Sequence, residues 1–123
     1  METREPAIRV MLLPKDTNAL GTIFGGIILS YIDLAAAVEA HKSCPGRIVT
    51  VAMREVVFHQ PVFVGDLVSF YTSTKKIGTT SITVHVSVEV ERSEPRGKRE
   101  KVTEAEVVYV HVDEQGKPQA IPK

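Results

Sequence analysis

The chain is 123 residues long, and 43% of its residues are hydrophobic while 24% are charged. This composition excludes a disordered chain and predicts one globular domain over residues 1–123, with one hydrophobic core. The formal net charge is zero, which argues against binding to nucleic acid or an acidic membrane and favours burial of surface in an oligomer.

The N-terminal segment METREPAIRV carries charges and a proline where a signal peptide needs an apolar run. The longest apolar stretch, Ile23 to Val38, is interrupted by Gly25, Gly26 and Asp33 and is shorter than a membrane span requires. Cys44 is the single cysteine of the sequence, so no disulfide can form within the chain. These features together predict a cytoplasmic protein in a reducing compartment.

The first predicted elements are a short strand, a loop and one helix. The apolar run Ile8 to Leu13 predicts the strand, and the turn-forming residues after it predict the loop. The helix should begin near Gly25 and continue to His41 or Lys42, because SCPG (43–46) brings a proline and a glycine that end a helix.

Four long strands are predicted to follow, over 48–59, 67–75, 82–92 and 102–112. The third, ITVHVSVEVER, alternates apolar and polar residues with period two, which indicates one buried and one solvated sheet face. The short connections favour antiparallel hairpins. One apolar sheet face beside one apolar helix predicts an α+β domain in which the sheet wraps the helix.

Asp33 lies within the apolar helix and needs an explanation, because burying an ionised carboxylate is costly. At about 100° per residue, apolar side chains that include Leu34 and Val38 should cover most of the helix, so the helix should be almost enclosed by the rest of the protein. The remaining narrow face holds Gly26, Ser30, Asp33, Ala37 and His41. Two interpretations stay open: Asp33 is an ordinary solvated carboxylate, or this face lines a cleft in which Asp33 is a general base or nucleophile.

The start of the helix, FGG (24–26), is a second candidate for chemistry. The first turn of a helix has unpaired N–H groups, and glycines there let a ligand approach the backbone closely. Such a helix end could stabilise an oxyanion on a carbonyl substrate. The pattern is not a G-x-G-x-x-G fingerprint and has no Walker lysine, and glycines often serve close packing alone.

The segment PKDTNALGTIFGGIILSYID (14–33) resembles the opening motif of the hotdog-fold acyl-CoA thioesterases, in the branch of the YciA-type and brain-type acyl-CoA hydrolases. The resemblance implies a hotdog fold, in which a long antiparallel sheet wraps one central helix. It also implies hydrolysis of an acyl-CoA to free coenzyme A and a carboxylic acid, without a metal or a separate cofactor. Further segments of the chain match in order: GRIVTVA (46–52), F-x-x-P-x-x-x-GD (58–66), KIGTTS (76–81), SEPRGKR (93–99) and IP (121–122).

The resemblance also implies roles for individual residues. Asp33 matches the catalytic aspartate of the central helix, and Asn18 matches an active-site asparagine in the preceding loop. In this family each site is shared across a dimer, so Asn18 would work with Asp33 of the partner subunit, and dimers commonly form hexamers as trimers of dimers. Thr22 stands where relatives often have Asp or Asn, which should affect the local turn more than the chemistry. Phe24, Gly25 and Gly26 are the candidates for binding the oxyanion or the substrate.

Coenzyme A carries phosphates, so basic and small polar residues beside turns are candidates for binding it. Any one of them is more often a solvated surface residue than a ligand. The candidates are Arg47, Thr50, Lys75, Gly78, Ser81, Arg96 and Arg99.

Other chemistries have less support in the sequence. The four histidines have no zinc-ligand spacing, and His85 and His111 should lie on solvated strand faces. No Gly-x-Ser-x-Gly motif is present, which argues against a serine-triad thioesterase. His41 at the far end of the helix does not match the catalytic histidine of related dehydratases. A non-catalytic acyl-CoA-binding or sensing module stays open as an alternative, as do the acyl chain length and the choice between general-base and anhydride mechanisms.

Overall fold

A computed structural model describes residues 4–122 as a five-stranded antiparallel sheet with one long helix packed on one face. The strands lie in the order β1-β3-β4-β5-β2 across the sheet. The elements in chain order are β1 (Ile8–Met11), a 3-10 turn (Pro14–Asp16), α1 (Gly25–Ser43), β2 (Ile48–Phe58), β3 (Leu67–Ile77), β4 (Ser81–Glu91) and β5 (Arg99–His111). No helix in this part of the chain is long and apolar enough to cross a membrane.

The predicted elements are confirmed in type and order, and their ends shift by a few residues. The helix starts at Gly25 as predicted and continues to Ser43, where the N–H of Cys44 donates a 3.0 Å hydrogen bond to the Ala40 oxygen. Pro45 follows immediately and prevents continuation. The predicted loop after β1 contains the short 3-10 turn, which the sequence pattern did not indicate.

The core lies between α1 and the inner face of the sheet. Alternate residues of β4 are all buried, as the period-two pattern predicted: Ile82, Val84, Val86, Val88 and Val90. The helix supplies small and branched apolar side chains to the same layer: Ile28, Ile32, Ala35, Ala36 and Ala40. The alanines let the helix lie close to the sheet because their side chains occupy little space.

The outer face of the sheet is less solvated than predicted, because its charged side chains form a paired cluster. Glu106 of β5 is buried beside Lys75, which donates to its carboxylate, and Arg54 lies 3.6 Å from the same group. Glu104 lies 2.7 Å from His59 and 3.4 Å from His85, so the half-buried His85 is part of this cluster.

A buried ion pair connects the two loops at the end of the sheet beside the start of α1. Arg92 donates through Nη1 to Asp66 Oδ2 at 2.7 Å and to the Pro61 oxygen at 2.8 Å, and through Nε to Glu100 at 2.7 Å. Asp66 also accepts from the backbone N–H of Ser93 at 3.2 Å. The segments F-x-x-P-x-x-x-GD and SEPRGKR are therefore joined by contacts that stabilise the fold.

The prediction that His111 is a solvated surface residue is wrong. The side chain is buried, since the C-terminal tail folds back over it: its Nδ1 lies 3.0 Å from the Ala120 oxygen, and its Nε2 lies 3.2 Å from Gln119. A Cβ atom at Gly46 would lie 2.8 Å from the His111 ring, so this close approach requires glycine. His111 is covered by Gln119 and Ala120, which lie eight and nine positions further along the chain. The alternation within a strand does not predict such contacts.

The prediction that the helix is almost enclosed is also wrong for a single subunit. Leu34 is 56% exposed and Val38 is about half exposed, because one chain supplies a sheet to only one side of the helix. The edge strand β2 pairs with β5 on one side and has no partner strand on the other among residues 4–122. Several of its apolar side chains are exposed: Val49, Val51, Val57 and Phe58.

Candidate active site

Asp33 lies in the middle of α1, where the helix faces the ends of β5 and β2. The Tyr109 hydroxyl lies 2.8 Å from Asp33 Oδ1 and 2.5 Å from the Asp33 backbone oxygen. Thr50 donates from Oγ1 to the same Oδ1 at 2.9 Å. Thr50 and Tyr109 are directly opposite each other in the β2–β5 ladder, so strand register brings both donors to one carboxylate.

The hydrogen bonds to Asp33 are distributed unequally over its two carboxylate oxygens. Oδ1 accepts from Tyr109 and Thr50, whereas Oδ2 has no hydrogen bond or ion pair to any residue between positions 4 and 122. Burial and the adjacent Asp33 carboxylate both raise the pKa of Tyr109, so the phenol stays protonated and acts as a donor. Asp33 is therefore a half-buried carboxylate held by two neutral donors.

The start of α1 has backbone N–H groups without an acceptor among the described residues. Aromatic rings pack against it more closely than the sequence pattern indicated. Phe24 is the N-cap residue and provides no side-chain cap. The N–H groups of Gly25 and Gly26 have no hydrogen bond to an acceptor outside the helix among the described residues. A Cβ atom at Gly26 would lie 2.6 Å from the Phe24 ring, and one at Gly25 would lie 3.4 Å from the Phe58 ring. The two glycines thus permit close aromatic packing at the start of the helix.

Asn18 organises the loop before α1. Its Oδ1 accepts from the N–H groups of Leu20 and Thr22 at 2.9 and 3.2 Å, and its Nδ2 donates to Thr22 Oγ1 at 2.8 Å. Thr22 is therefore part of this turn. This is the place where we expected the presence of threonine, where relatives often have Asp or Asn, to have its effect. No hydrogen bond joins Asn18 to Asp33 within the described chain, so the two predicted catalytic residues do not meet directly in one subunit.

Four of the predicted CoA-binding residues lie in two places. Gly78 and Ser81 close the β3–β4 turn, where the Gly78 N–H donates to the Ser81 oxygen at 2.8 Å, beside the C-terminal end of α1. Arg47 lies at the same end of the sheet and donates to a backbone oxygen of the C-terminal tail at 3.2 Å. Thr50 instead contacts Asp33.

The other three CoA-binding candidates lie elsewhere. Arg96 lies in the β4–β5 connection and Arg99 is the first residue of β5; both are at the opposite end of the sheet and are exposed. Lys75 donates to Glu106 on the face of the sheet away from α1. One subunit does not bring all seven candidates into a single cluster, and their contact with coenzyme A stays a prediction.

Two hydrogen-bonded residues between α1 and the sheet were missed in the sequence: Tyr109 contacts Asp33, whereas Glu39 contacts β3 instead. Tyr109 lies on a strand whose alternating apolar pattern predicts burial. Because a buried tyrosine hydroxyl needs a hydrogen-bond partner, its position in that pattern was the signal that could have identified it.

Glu39 is a second carboxylate on α1, and it accepts from Thr72 Oγ1 at 3.1 Å and Thr74 Oγ1 at 2.9 Å. Burial alone would raise the pKa of Glu39, but hydrogen bonds from Thr74, Lys42 and Thr72 together lower it. No cluster of metal-ligating side chains occurs within positions 4–122.

The sequence was compared with protein-family models and with known proteins. The family model described as the Thioesterase superfamily matches residues 20–95. The chain is 45% identical over 120 residues to a Salmonella typhimurium protein named acyl-CoA thioester hydrolase YciA, covering 96% of this chain and 90% of the relative. It is 44% identical over 117 residues to the Escherichia coli K12 protein of the same name, covering 94% and 89%.

Solved structures match across almost the whole chain. An aspartate-to-alanine mutant of HI0827, described as a hexameric broad-specificity acyl-coenzyme A thioesterase, superposes with a TM-score of 0.92 at 40% identity, covering 97% of this chain and 87% of the other. The hexameric hotdog-fold thioesterase Cj0915 of Campylobacter jejuni has a TM-score of 0.91 at 44% identity, covering 99% and 93%. The resemblance to hotdog thioesterases is confirmed, and the chain belongs to the thioesterase superfamily with the hotdog fold.

Proposed function

We propose that this protein hydrolyses acyl-CoA thioesters to coenzyme A and a carboxylic acid. One observation supports hydrolysis most directly: Asp33, a half-buried carboxylate on the central helix, is held on one oxygen by Tyr109 and Thr50, while its other oxygen has no hydrogen bond to any described residue. Relatives that are 44–45% identical are named acyl-CoA thioester hydrolases. No cofactor beyond the coenzyme A of the substrate is needed for this reaction, and we expect it to take place in the cytoplasm.

Asp33 acts in one of two ways in this proposal. As a general base it takes a proton from water while the water oxygen adds to the thioester carbonyl; the C–S bond then breaks and the departing thiolate recovers a proton. As a nucleophile it attacks the carbonyl itself, expels the thiolate and forms a mixed anhydride that water hydrolyses. In both routes the carbonyl oxygen gains negative charge, which N–H groups at Gly25 and Gly26 can stabilise.

A second copy of the chain completes the proposed site. Thr50 lies on β2, an edge strand with exposed apolar side chains, and such an edge favours pairing with another strand. A copy that pairs there would bring its own residues beside Asp33, and we assign the partner's Asn18 to the substrate or the attacking water. The solved relatives HI0827 and Cj0915 are described as hexamers, and we propose a hexamer built from three dimers.

A hydrolysis screen over CoA esters of increasing chain length tests the proposed function. Free thiol is measured with a disulfide reagent, and Cys44 should contribute little background because it is fully buried. Turnover that is lost in Asp33→Asn supports the assignment. Binding of an acyl-CoA by calorimetry without turnover of any ester would contradict it and would indicate a non-catalytic binding module instead.

A further inference from the structure

We propose, on the basis of the hydrolytic function above, that Tyr109 is a positioning residue that holds Asp33 through Oδ1 and leaves Oδ2 as the oxygen that reacts. Tyr109 contacts two atoms of Asp33, Oδ1 at 2.8 Å and the backbone oxygen at 2.5 Å. A group that contacts both the side chain and the backbone of one residue fixes the side chain relative to the helix. An aspartate on a half-exposed helix face would otherwise exchange between rotamers.

Tyr109 is itself fixed by burial and strand pairing, so it can restrict the position of another side chain. Its side chain is 2% exposed and it lies on β5, which is paired on both sides by β4 and β2. Its ring is packed in the hydrophobic core with α1 and β4 residues. The hydroxyl is therefore fixed by the sheet and not by the helix that carries Asp33. The phenol remains a donor, since burial and the carboxylate raise its pKa.

The same geometry distinguishes the two oxygens of Asp33. Oδ1 accepts from Thr50 and shares the single hydroxyl proton of Tyr109 with the Asp33 backbone oxygen, so both side-chain donors contact the same carboxylate oxygen. Oδ2 has no partner among the described residues, and a base or nucleophile needs a free lone pair directed at its substrate. Oδ2 is thus the oxygen that takes the proton from water or attacks the thioester carbonyl. Thr50 contacts Oδ1 from an exposed edge strand, whereas Tyr109 contacts it from the buried interior.

The test is a kinetic double-mutant cycle between Tyr109→Phe and Asp33→Asn. Tyr109→Phe removes one oxygen and keeps the ring, and we expect kcat to fall at least about tenfold with KM changed by less than about twofold, because a misplaced catalytic group can lose about a hundredfold. In the Asp33→Asn background, the same change should alter the residual rate by less than about twofold, since the reacting oxygen is already gone.

Tyr71→Phe is the matched control. Tyr71 is also a buried tyrosine, and its hydroxyl lies 3.4 Å from Arg9 on the face of the sheet away from Asp33. It should lose no more than about twofold in kcat. If Tyr109→Phe does not fold, Thr50→Val removes the other Oδ1 donor from an exposed strand and should also lower kcat more than it raises KM.

The outcomes separate the positioning role from the function on which it rests. Hydrolysis by the wild type with near-wild-type kcat in Tyr109→Phe would overturn the positioning role and leave hydrolysis intact. An equal fractional loss from Tyr109→Phe in both backgrounds would also overturn it, because it would indicate a general structural effect. A wild-type protein without turnover would overturn the proposed function and the role of Tyr109 together.

Discussion

Thr50 donates a 2.9 Å hydrogen bond to Asp33 Oδ1, and this contact joins the central helix to the edge strand of the sheet. The carboxylate therefore lies close to the place where a second sheet can add to the first. In a single subunit Asp33 is only half-buried. In the proposed dimer, a copy that pairs with β2 would enclose it, and this would connect its proposed chemistry to oligomer formation.

Asp33→Asn should lower kcat by at least about a hundredfold, the scale of a lost general base, while the fold is retained. The amide keeps an oxygen that can accept from Tyr109 and Thr50, and it loses the basic second oxygen. Steady-state kinetics and circular dichroism measure the two effects. Glu39→Gln is the control, because it removes the other helix carboxylate, and it should keep kcat within about threefold. Near-wild-type turnover in a folded Asp33→Asn protein would disprove the assignment of Asp33.

The protein should sediment as a dimer or a larger assembly at micromolar concentration. Leu34→Glu should weaken this assembly and lower activity, because a charge would enter an exposed apolar helix face that the second copy would cover in the proposed dimer. Met11→Glu is the control: Met11 is 58% exposed, close to the 56% of Leu34, and lies on the opposite edge strand. Sedimentation velocity at matched protomer concentrations measures the change. A fully active monomer would contradict a site shared between subunits.

Asn18→Ala and Asp33→Asn proteins should each be nearly inactive alone and should recover activity when mixed. In a symmetric dimer with shared sites, a heterodimer has one site with both defects and one with neither. Activity should reach up to half of the wild-type value per mixed dimer if the sites are independent. Native mass spectrometry of differently tagged chains establishes the exchange of subunits. Proven exchange without recovered activity would place Asn18 and Asp33 in the same subunit's site, or Asn18 outside it.

Glu104 should make stability depend on pH in the acid range. Hydrogen bonds from His59, Lys101 and His85 lower the pKa of Glu104 from 4.5 to about 2. A carboxyl with a lower pKa in the folded state stabilises the fold above its unfolded pKa, and this contribution is lost as the pH falls from about 4.5 to about 2. Glu104→Gln should therefore cost more stability at pH 5 than at pH 3. Urea unfolding at equal protomer concentration measures both values, and an equal cost at the two pH values would refute the assignment.

Arg92→Ala should destabilise the fold by about 3–5 kcal/mol, because it leaves a carboxylate buried without its partner. The Arg92 and Asp66 side chains are 4% and 1% exposed, and their charged groups are 2.7 Å apart. Arg99→Ala removes an exposed arginine 3.8 Å from Glu91 and should change stability by no more than about 0.5 kcal/mol. Denaturant unfolding compares the two variants. Similar small losses in both would show that the buried pair is not required.

The elements of the fold could be read from the sequence because local patterns determine them. The alternation in β4 predicted its buried face, and the apolar segment bounded by Gly25 and Pro45 predicted the helix. The resemblance to hotdog thioesterases singled out Asp33 because that motif is contiguous in the chain. Each of these signals lies within one short segment, so its period or spacing can be recognised without knowledge of the tertiary structure.

The surroundings of Asp33 were decided only by the tertiary structure. Tyr109 lies 76 positions from Asp33, and Thr50 lies 17 positions away, and the two meet because the β2–β5 register places them opposite each other. The burial of His111 and the exposure of Leu34 likewise depend on which distant segment covers each residue. Hydrophobic periodicity specifies a face of a helix or strand, but only the packing of separate elements determines what lies against that face.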